Sequence, residues 1–246
     1  MKLTDDVYLV GGGDYGFNLS HRLDCHTYVV DAGDELVMID TGFDGTAEIL
    51  ALMRADGLDP ERVSTIFITH YHADHAGGAA SMKRATAARL LAPVEAAQAI
   101  RTADAEQTGL SWAQSFGFYP PEFVWEPAEV EEEYADGQRW RIGGVELEAI
   151  STPGHCHGHY VLRLVGRDRT YLFASDLVFW GGAIILQNVA DSSVQEYAAS
   201  MNRAAELEFD ALLPGHHLIS LRNGRRHVEA AANDFNRIGL PRDLLR

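Results

Sequence analysis

The 246-residue sequence predicts a mixed α/β fold. Three observations carry that expectation. Short apolar runs rich in Val, Ile and aromatic residues alternate with longer stretches spaced as amphipathic helices. Pairs such as Gly33-Asp34, Asp56-Gly57 and Gly143-Gly144 separate them. Each polar cluster follows directly on an apolar run, so its side chains sit at strand ends, where a rigid scaffold can hold chemistry.

Val7 to Gly12 reads as a strand that runs into the glycines Gly11, Gly12 and Gly13. His26 to Ala32 and Glu35 to Asp40 are β-rich and meet at Gly33-Asp34, the signature of a hairpin. Ile49, Leu50 and Met53 give Thr46 to Ala55 a helical period, and Asp56-Gly57 stops it. Val63 to Thr69 is a buried strand that feeds a histidine-rich loop. Ala87 to Ala92 is a further strand, and Pro93 to Ala105 a helix with Pro93 in its first turn. Glu106 to Pro127 loses all periodicity and is expected as an aromatic loop. Arg139 to Ile150 and His159 to Ala174 read as antiparallel strands that turn at Gly143-Gly144 and Gly166-Arg167-Asp168. Val194 to Leu207 is a helix capped by Ser192 or Ser193. A short strand, Ala211 to Leu213, and a closing helix, Arg225 to Ile238, complete the chain.

Composition narrows the function classes. Hydrophobic residues make up 46% of the chain, enough for a sizeable core, and the charged fraction of 23% is ordinary. Asp and Glu outnumber Lys and Arg by 36 to 20, a net charge of −16 that speaks against nucleic acid as a partner. Two cysteines, Cys25 and Cys156, make no disulfide framework, so both are expected reduced in a cytoplasm. The N-terminus turns acidic at Asp5-Asp6 without the apolar core of a signal peptide. No run reaches the roughly 18 apolar residues that a membrane span needs. Neither nucleic acid nor a membrane is an expected partner, which leaves a small-molecule substrate open.

The chemical signal is concentrated in Thr69-His70-Tyr71-His72-Ala73-Asp74-His75-Ala76-Gly77-Gly78. Imidazole and carboxylate together suit zinc, iron, manganese or cobalt. His70 and His72 are two apart on an extended segment, so both rings leave on one face. Asp74 and His75 then follow the chain into a helix, which makes a second pair of donors aimed at a neighbouring point.

These residues resemble the signature of the metallo-β-lactamase superfamily. The rest of that family's pattern follows in order: Asp40-Thr41-Gly42, Thr152-Pro153-Gly154-His155, Ser175-Asp176 and Pro214-Gly215-His216, spanning about residues 7 to 218. The resemblance implies a four-layer αββα sandwich formed by a single domain, residues 1–246, with the site at one edge. It implies two divalent metal ions, zinc first, with iron or manganese as alternatives. His70, His72 and His155 would hold one, Asp74, His75 and His216 the other, and Asp176 would bridge them. Asp40 would support the ligand loops. Bound zinc lowers the pKa of water from 15.7 to about 7, and a pair of ions can also polarise a carbonyl or phosphoryl oxygen. Asp74 is the expected catalytic residue, accepting a hydrogen bond from the nucleophile and shuttling its proton. Among the other histidines, His159 can orient a neighbour, and His21 and His227 are expected at the surface.

Departures from the pattern narrow the substrate. The superfamily's true β-lactamases lack the carboxylate that stands here as Asp176. Its acyl-homoserine lactonases carry Tyr three residues after that Asp, where this chain has Phe179. Its flavodiiron proteins replace the second histidine of the motif by Glu, unlike His72. Its tRNA nucleases fit the acidic charge poorly. The expected activity is hydrolysis of a thioester, ester or lactone of a small organic acid, as in glyoxalase II. The alternatives are persulfide oxidation at one iron, held by His70, His155 and Asp176, and a non-catalytic metal-binding regulatory module. Trp112, Phe116, Phe118, Tyr119, Phe123 and Trp125, with Phe179, Trp180, Ile184, Ile185 and Leu186, are expected to wall an apolar substrate site; core packing or a homodimer interface would use the same residues. Arg222, Arg225 and Arg226 are expected as a solvated helix start, with attraction of an anionic group on the substrate as the alternative.

Overall fold

Strands in the first half of the chain are runs of buried β-branched, aliphatic and aromatic residues, as a sheet covered on both faces requires. Val7–Gly11 (β1), Thr27–Asp31 (β2) and Leu36–Ile39 (β3) pair antiparallel in that order. Val63–Phe67 (β4), Arg89–Pro93 (β5) and Glu132–Tyr134 (β6) continue the sheet in parallel from β3, to give six strands in chain order. The helices Thr46–Ala55 (α1), Ala73–Ala76 (α2), Ala79–Thr86 (α3), Val94–Thr102 (α4) and Leu110–Ser115 (α5) lie in the connections.

The second half builds a five-stranded sheet. Arg139–Ile142 (β7), Val145–Ser151 (β8), Tyr160–Val165 (β9) and Thr170–Ser175 (β10) form an antiparallel meander, and Ala211–Pro214 (β11) adds in parallel to β10. Val194–Ala205 (α6) and Arg225–Asn236 (α7) pack on it through Tyr197, Met201, Ala204, Val228, Ala231 and Ala232, which join Ile150, Val161, Leu172 and Leu212 in one buried cluster. This computed structural model describes residues 1–187 and 189–244. The two sheets belong to two compact units, Met1–Tyr134 and Ala135–Arg246.

Most expected elements form. The Gly33-Asp34 turn joins β2 to β3, with the Ala32 N–H donating to Glu35 O at 3.0 Å. Ser193 caps α6 by accepting the Glu196 N–H at 3.3 Å. Four points need correction. The segment 106–127 is not all loop, because Leu110–Ser115 forms α5. Glu132–Tyr134 is an edge strand. The helix expected at the histidine motif is broken in two, Ala73–Ala76 forming α2 and Ala79–Thr86 forming α3. Pro93 ends β5 and precedes α4 instead of sitting in its first turn.

Strand direction decides where the polar clusters go. Strands β3 and β4 are parallel, so Asp40 and the His70 motif emerge at one edge of the first sheet. In the second unit β8, β10 and β11 all run the same way, because β9 is antiparallel to both β8 and β10. The loops that carry His155, Asp176 and His216 therefore leave one edge of the second sheet. Ligand sites of open α/β sheets lie at such carboxyl edges.

Candidate metal centre

In the first unit the histidine motif is held from behind by Asp40. One carboxylate oxygen of Asp40 accepts the Thr69 N–H at 2.8 Å. The other accepts the Thr69 hydroxyl at 2.9 Å and faces His75 Nδ1 at 2.8 Å. An ionised carboxylate only accepts, so the His75 proton sits on Nδ1 and the lone pair on Nε2. That lone pair is the form in which imidazole binds a metal. The same turn grips the His75 backbone, since Thr41 N–H and Oγ1 both donate to His75 O, at 2.8 and 3.0 Å. His75 Nε2 lies 3.7 Å from Asp74 Oδ2, and the His70 ring centroid is 4.6 Å from that of His72 and 4.1 Å from that of His75. All four candidate ligands of this unit thus meet at one edge. His70, Asp74 and His75 are buried, and His72 is half-buried.

Sequence reading missed Asp24, which braces this turn from a distance. Its buried carboxylate accepts the N–H groups of Phe43, Asp44 and Gly45 at 2.7, 3.2 and 3.3 Å, and the Ser20 hydroxyl at 2.6 Å. Burial nevertheless holds the Asp24 carboxyl above its ordinary range. No local pattern marks the contact with this turn, because its backbone donors are some 20 residues away in the chain. Gly42 is needed there: its φ is +73°, and a Cβ would stand 2.7 Å from Asp24 Oδ1.

In the second unit Asp176 occupies the middle. Its Oδ2 lies 3.5 Å from His155 Nε2 and 3.6 Å from His216 Nε2. The Asp176 N–H donates to His159 Nε2 at 3.1 Å, which puts the His159 proton on Nδ1, where it donates to Thr152 Oγ1 at 2.9 Å. The Asp176 carbonyl accepts the Tyr197 hydroxyl at 2.6 Å, so α6 fixes the same residue from its other side. His155, His159, Asp176 and His216 are all buried. Strand-end backbone is wound into the left-handed region at Asp40 (φ 59°) and Ser175 (φ 46°), and again at His217 (φ 66°) beside His216. Non-glycine residues accept such angles where surrounding contacts hold them, and functional sites collect them.

Several expectations outside the ligand set are corrected. His227 is buried, not at the surface: its Nδ1 accepts the Gly181 N–H at 2.9 Å, and its ring lies 4.6 Å from Trp180. Phe179, Ile184 and Ile185 are buried among core residues of the second unit, as the packing alternative has it, and Ile184 and Leu186 also border a cavity with Leu240, Pro241 and Arg242. Arg225 is engaged by Glu208 at 2.6 Å, Glu229 at 3.5 Å and Ala205 O at 3.2 Å, and Arg226 lies 5.0 Å over Trp180; these contacts leave neither poised for an anion. The aromatic segment is divided. Tyr119 and Trp125 are buried, whereas Trp112, Phe116 and Phe118 are exposed. Cys25 is fully buried behind His75, and burial pushes its thiol up to about 12, which removes it as a nucleophile.

The donor chemistry fits divalent metal. Imidazoles alternate with carboxylates, Asp40 fixes the His75 tautomer, and buried polar groups of this kind are retained where they coordinate metals or pair. Comparison with known proteins agrees. Residues 22–216 match the family model described as the metallo-beta-lactamase superfamily. The chain is 25% identical over 192 residues to an atrochrysone carboxyl ACP thioesterase of Aspergillus fumigatus, covering 78% of this chain and 50% of that protein. It is 28% identical over 198 residues to a hydroxyacylglutathione hydrolase of Pseudomonas syringae, covering 74% and 64%. It thus spans about half to just under two thirds of these curated relatives' length. Among solved structures, a subclass B3 metallo-beta-lactamase of Bradyrhizobium japonicum matches with TM-score 0.71 at 22% identity, covering 97% of this chain and 92% of that one. A beta-lactamase from Chitinophaga pinensis matches with TM-score 0.72 at 17% identity, covering 96% and 91%. At these identities the likeness shows the fold, the expected α/β metallo-β-lactamase architecture.

Proposed function

The chain belongs to the metallo-beta-lactamase superfamily, and from that membership we propose that it is a binuclear metal-dependent hydrolase of a thioester, ester or lactone of a small organic acid. His70, His72 and His155 would hold one ion, Asp74, His75 and His216 the other, and Asp176 would serve both, with residues 1–246 working as one domain. The observation that carries the reading is the position of Asp176. A single carboxylate oxygen faces two imidazole nitrogens at 3.5 and 3.6 Å, as a ligand shared between two sites must. Names of relatives favour acyl chemistry: one is a thioesterase and the other hydrolyses a hydroxyacyl thiol conjugate.

When bound, divalent ions would supply Lewis acidity and a water acidic enough to react near neutral pH. The protein's own part is orientation and proton handling. Asp40 and Asp24 hold the first unit's donors in register. His159 and Tyr197 keep Asp176 from turning away. Asp74, whose Oδ2 lies 3.7 Å from His75 Nε2, would accept a hydrogen bond from the nucleophile and help shuttle its proton, a role that suits a positioned carboxylate.

The test is elemental analysis of protein purified without chelator, followed by turnover of thioester, lactone and phosphoester substrates. About two zinc ions per chain with acyl hydrolysis are expected. One iron per chain and oxygen uptake on a persulfide would overturn the proposal, as would bound metal with no turnover of any acyl substrate.

A further inference from the structure

The proton-handling carboxylate has a partner that its own motif does not supply. Tyr119 lies 45 residues further along, in the aromatic segment after α5, and its hydroxyl donates to Asp74 Oδ1 at 2.6 Å. Asp74 is 8% exposed and Tyr119 6%, so the bond forms where water competes little. An O–H to carboxylate bond of this length is of the charge-assisted kind, about twice as strong as a neutral one.

Several contacts within the first unit hold the phenol in place. Its ring stacks on Phe43 with centroids 5.2 Å apart and planes 20° from parallel. Phe43 is itself fixed by its N–H bond to Asp24 and by Phe123, whose centroid is 4.0 Å away. Gln114 of α5 staples the segment, donating through Nε2 to Pro120 O and Phe123 O, both at 2.9 Å. On its outer side Phe118 meets Tyr119 edge-on at 5.0 Å and stacks with Tyr15 at 6.4 Å. Phe118 and Tyr15 are exposed. A continuous row of rings therefore leads from the surface to one oxygen of Asp74.

We propose that Tyr119 is a positioning residue for Asp74: its phenol engages Oδ1, turns Oδ2 towards the His75 side of the site, and ties that orientation to the seating of the aromatic segment. The proposal rests on the metallohydrolase reading above. A ligating carboxylate with both oxygens unrestrained can rotate or chelate; with one oxygen held by a rigid donor it presents the other. Coupling is reciprocal, so metal held through Asp74 must also steady the segment that carries Tyr119.

Tyr119→Phe removes the hydroxyl and keeps the ring stack. Cobalt(II) titration of the metal-free protein, followed by visible absorption, reads both affinity and ligand field. In the wild type two equivalents are expected to bind. In the variant the weaker equivalent is expected to bind about tenfold less tightly and its absorption band to shift, with an unchanged far-ultraviolet circular dichroism spectrum. Equal affinities and superimposable spectra would overturn the proposal. A wild type that binds no cobalt would instead sink the metallohydrolase reading. Hydrogen exchange on the wild type serves if the variant does not fold: metal loading is expected to slow amide exchange across residues 113–123, and exchange there that ignores metal would count against Tyr119 equally.

Discussion

Asp40 shows how much one side chain can determine at this edge. It joins the backbone and hydroxyl of Thr69 to the ring of His75, and all three partners are buried. Asp40→Ala would leave the Thr69 N–H without its acceptor, a loss of about 1–3 kcal/mol that urea unfolding of the metal-free protein would register. The same variant is expected to weaken metal binding 10- to 100-fold, because the His75 ring loses the carboxylate that fixes its tautomer. In the second unit, His159→Leu takes away the acceptor for the Asp176 N–H and is expected to lower kcat/KM at least about tenfold; full activity in a folded His159→Leu protein would remove His159 from the supporting set. His227 has a different consequence. Burial, and then the Arg226 charge, hold its pKa below the usual 6.5. Between that lowered value and 6.5 the unfolded chain binds more protons than the folded one, so stability rises with pH across the window and falls as the medium is acidified through it. His227→Gln should flatten that part of a stability–pH curve.

At the scale of elements, the loop before α6 is packed as closely as backbone allows. Gly154 has φ +131°, and a Cβ there would stand 2.3 Å from Tyr197 N and 2.4 Å from Tyr197 Cα in the first turn of α6. Gly154→Ala must push apart the loop carrying His155 and the helix that fixes Asp176; a loss of about 1–3 kcal/mol is expected, together with impaired metal uptake in the same titration. Ser193→Ala, which only removes the α6 cap, is expected to cost about 0.5–2 kcal/mol and to leave metal stoichiometry alone. The elements that sequence reading missed share a physical cause. Helix α5 has six residues with one buried side chain, and β6 has three residues with one, too little to show a period. Both exist because their neighbours complete them: β6 pairs with β5, and Tyr134 at its end donates to Ile68 O at 2.6 Å.

On the scale of the whole molecule, each unit sets carboxylate beside imidazole nitrogen, Asp74 by His75 in the first and Asp176 by His155 and His216 in the second, and the proposed function has these donors holding metal. Bound metal should therefore stabilise the folded chain, by about 2.7 kcal/mol when its free concentration is a hundred times the dissociation constant. Chelator is expected to lower the thermal midpoint and zinc to restore it. A midpoint indifferent to both would argue that the donors are satisfied without metal. Among the described residues no helix is long and apolar enough to cross a membrane.

The sequence by itself determined the donor types, their order and the strand ends that carry them. Such information is local: a histidine two residues from another on an extended segment, or a Gly before a His, is written in adjacent letters. Strand periodicity placed β1 to β4 and α1 within a residue or two for the same reason. What only the tertiary structure decided is what stands behind each donor. Asp24 and Tyr119 reach the site from about 20 and 45 residues away in the chain, and His227 is buried by a turn 46 residues before it. Such pairings depend on strand order and side-chain packing, which no spacing in the chain encodes. They also separated the aromatic residues that sequence grouped together, because burial is a property of the packed fold: Tyr119 turns its hydroxyl to a carboxylate, while Phe116, three residues before it, lies exposed.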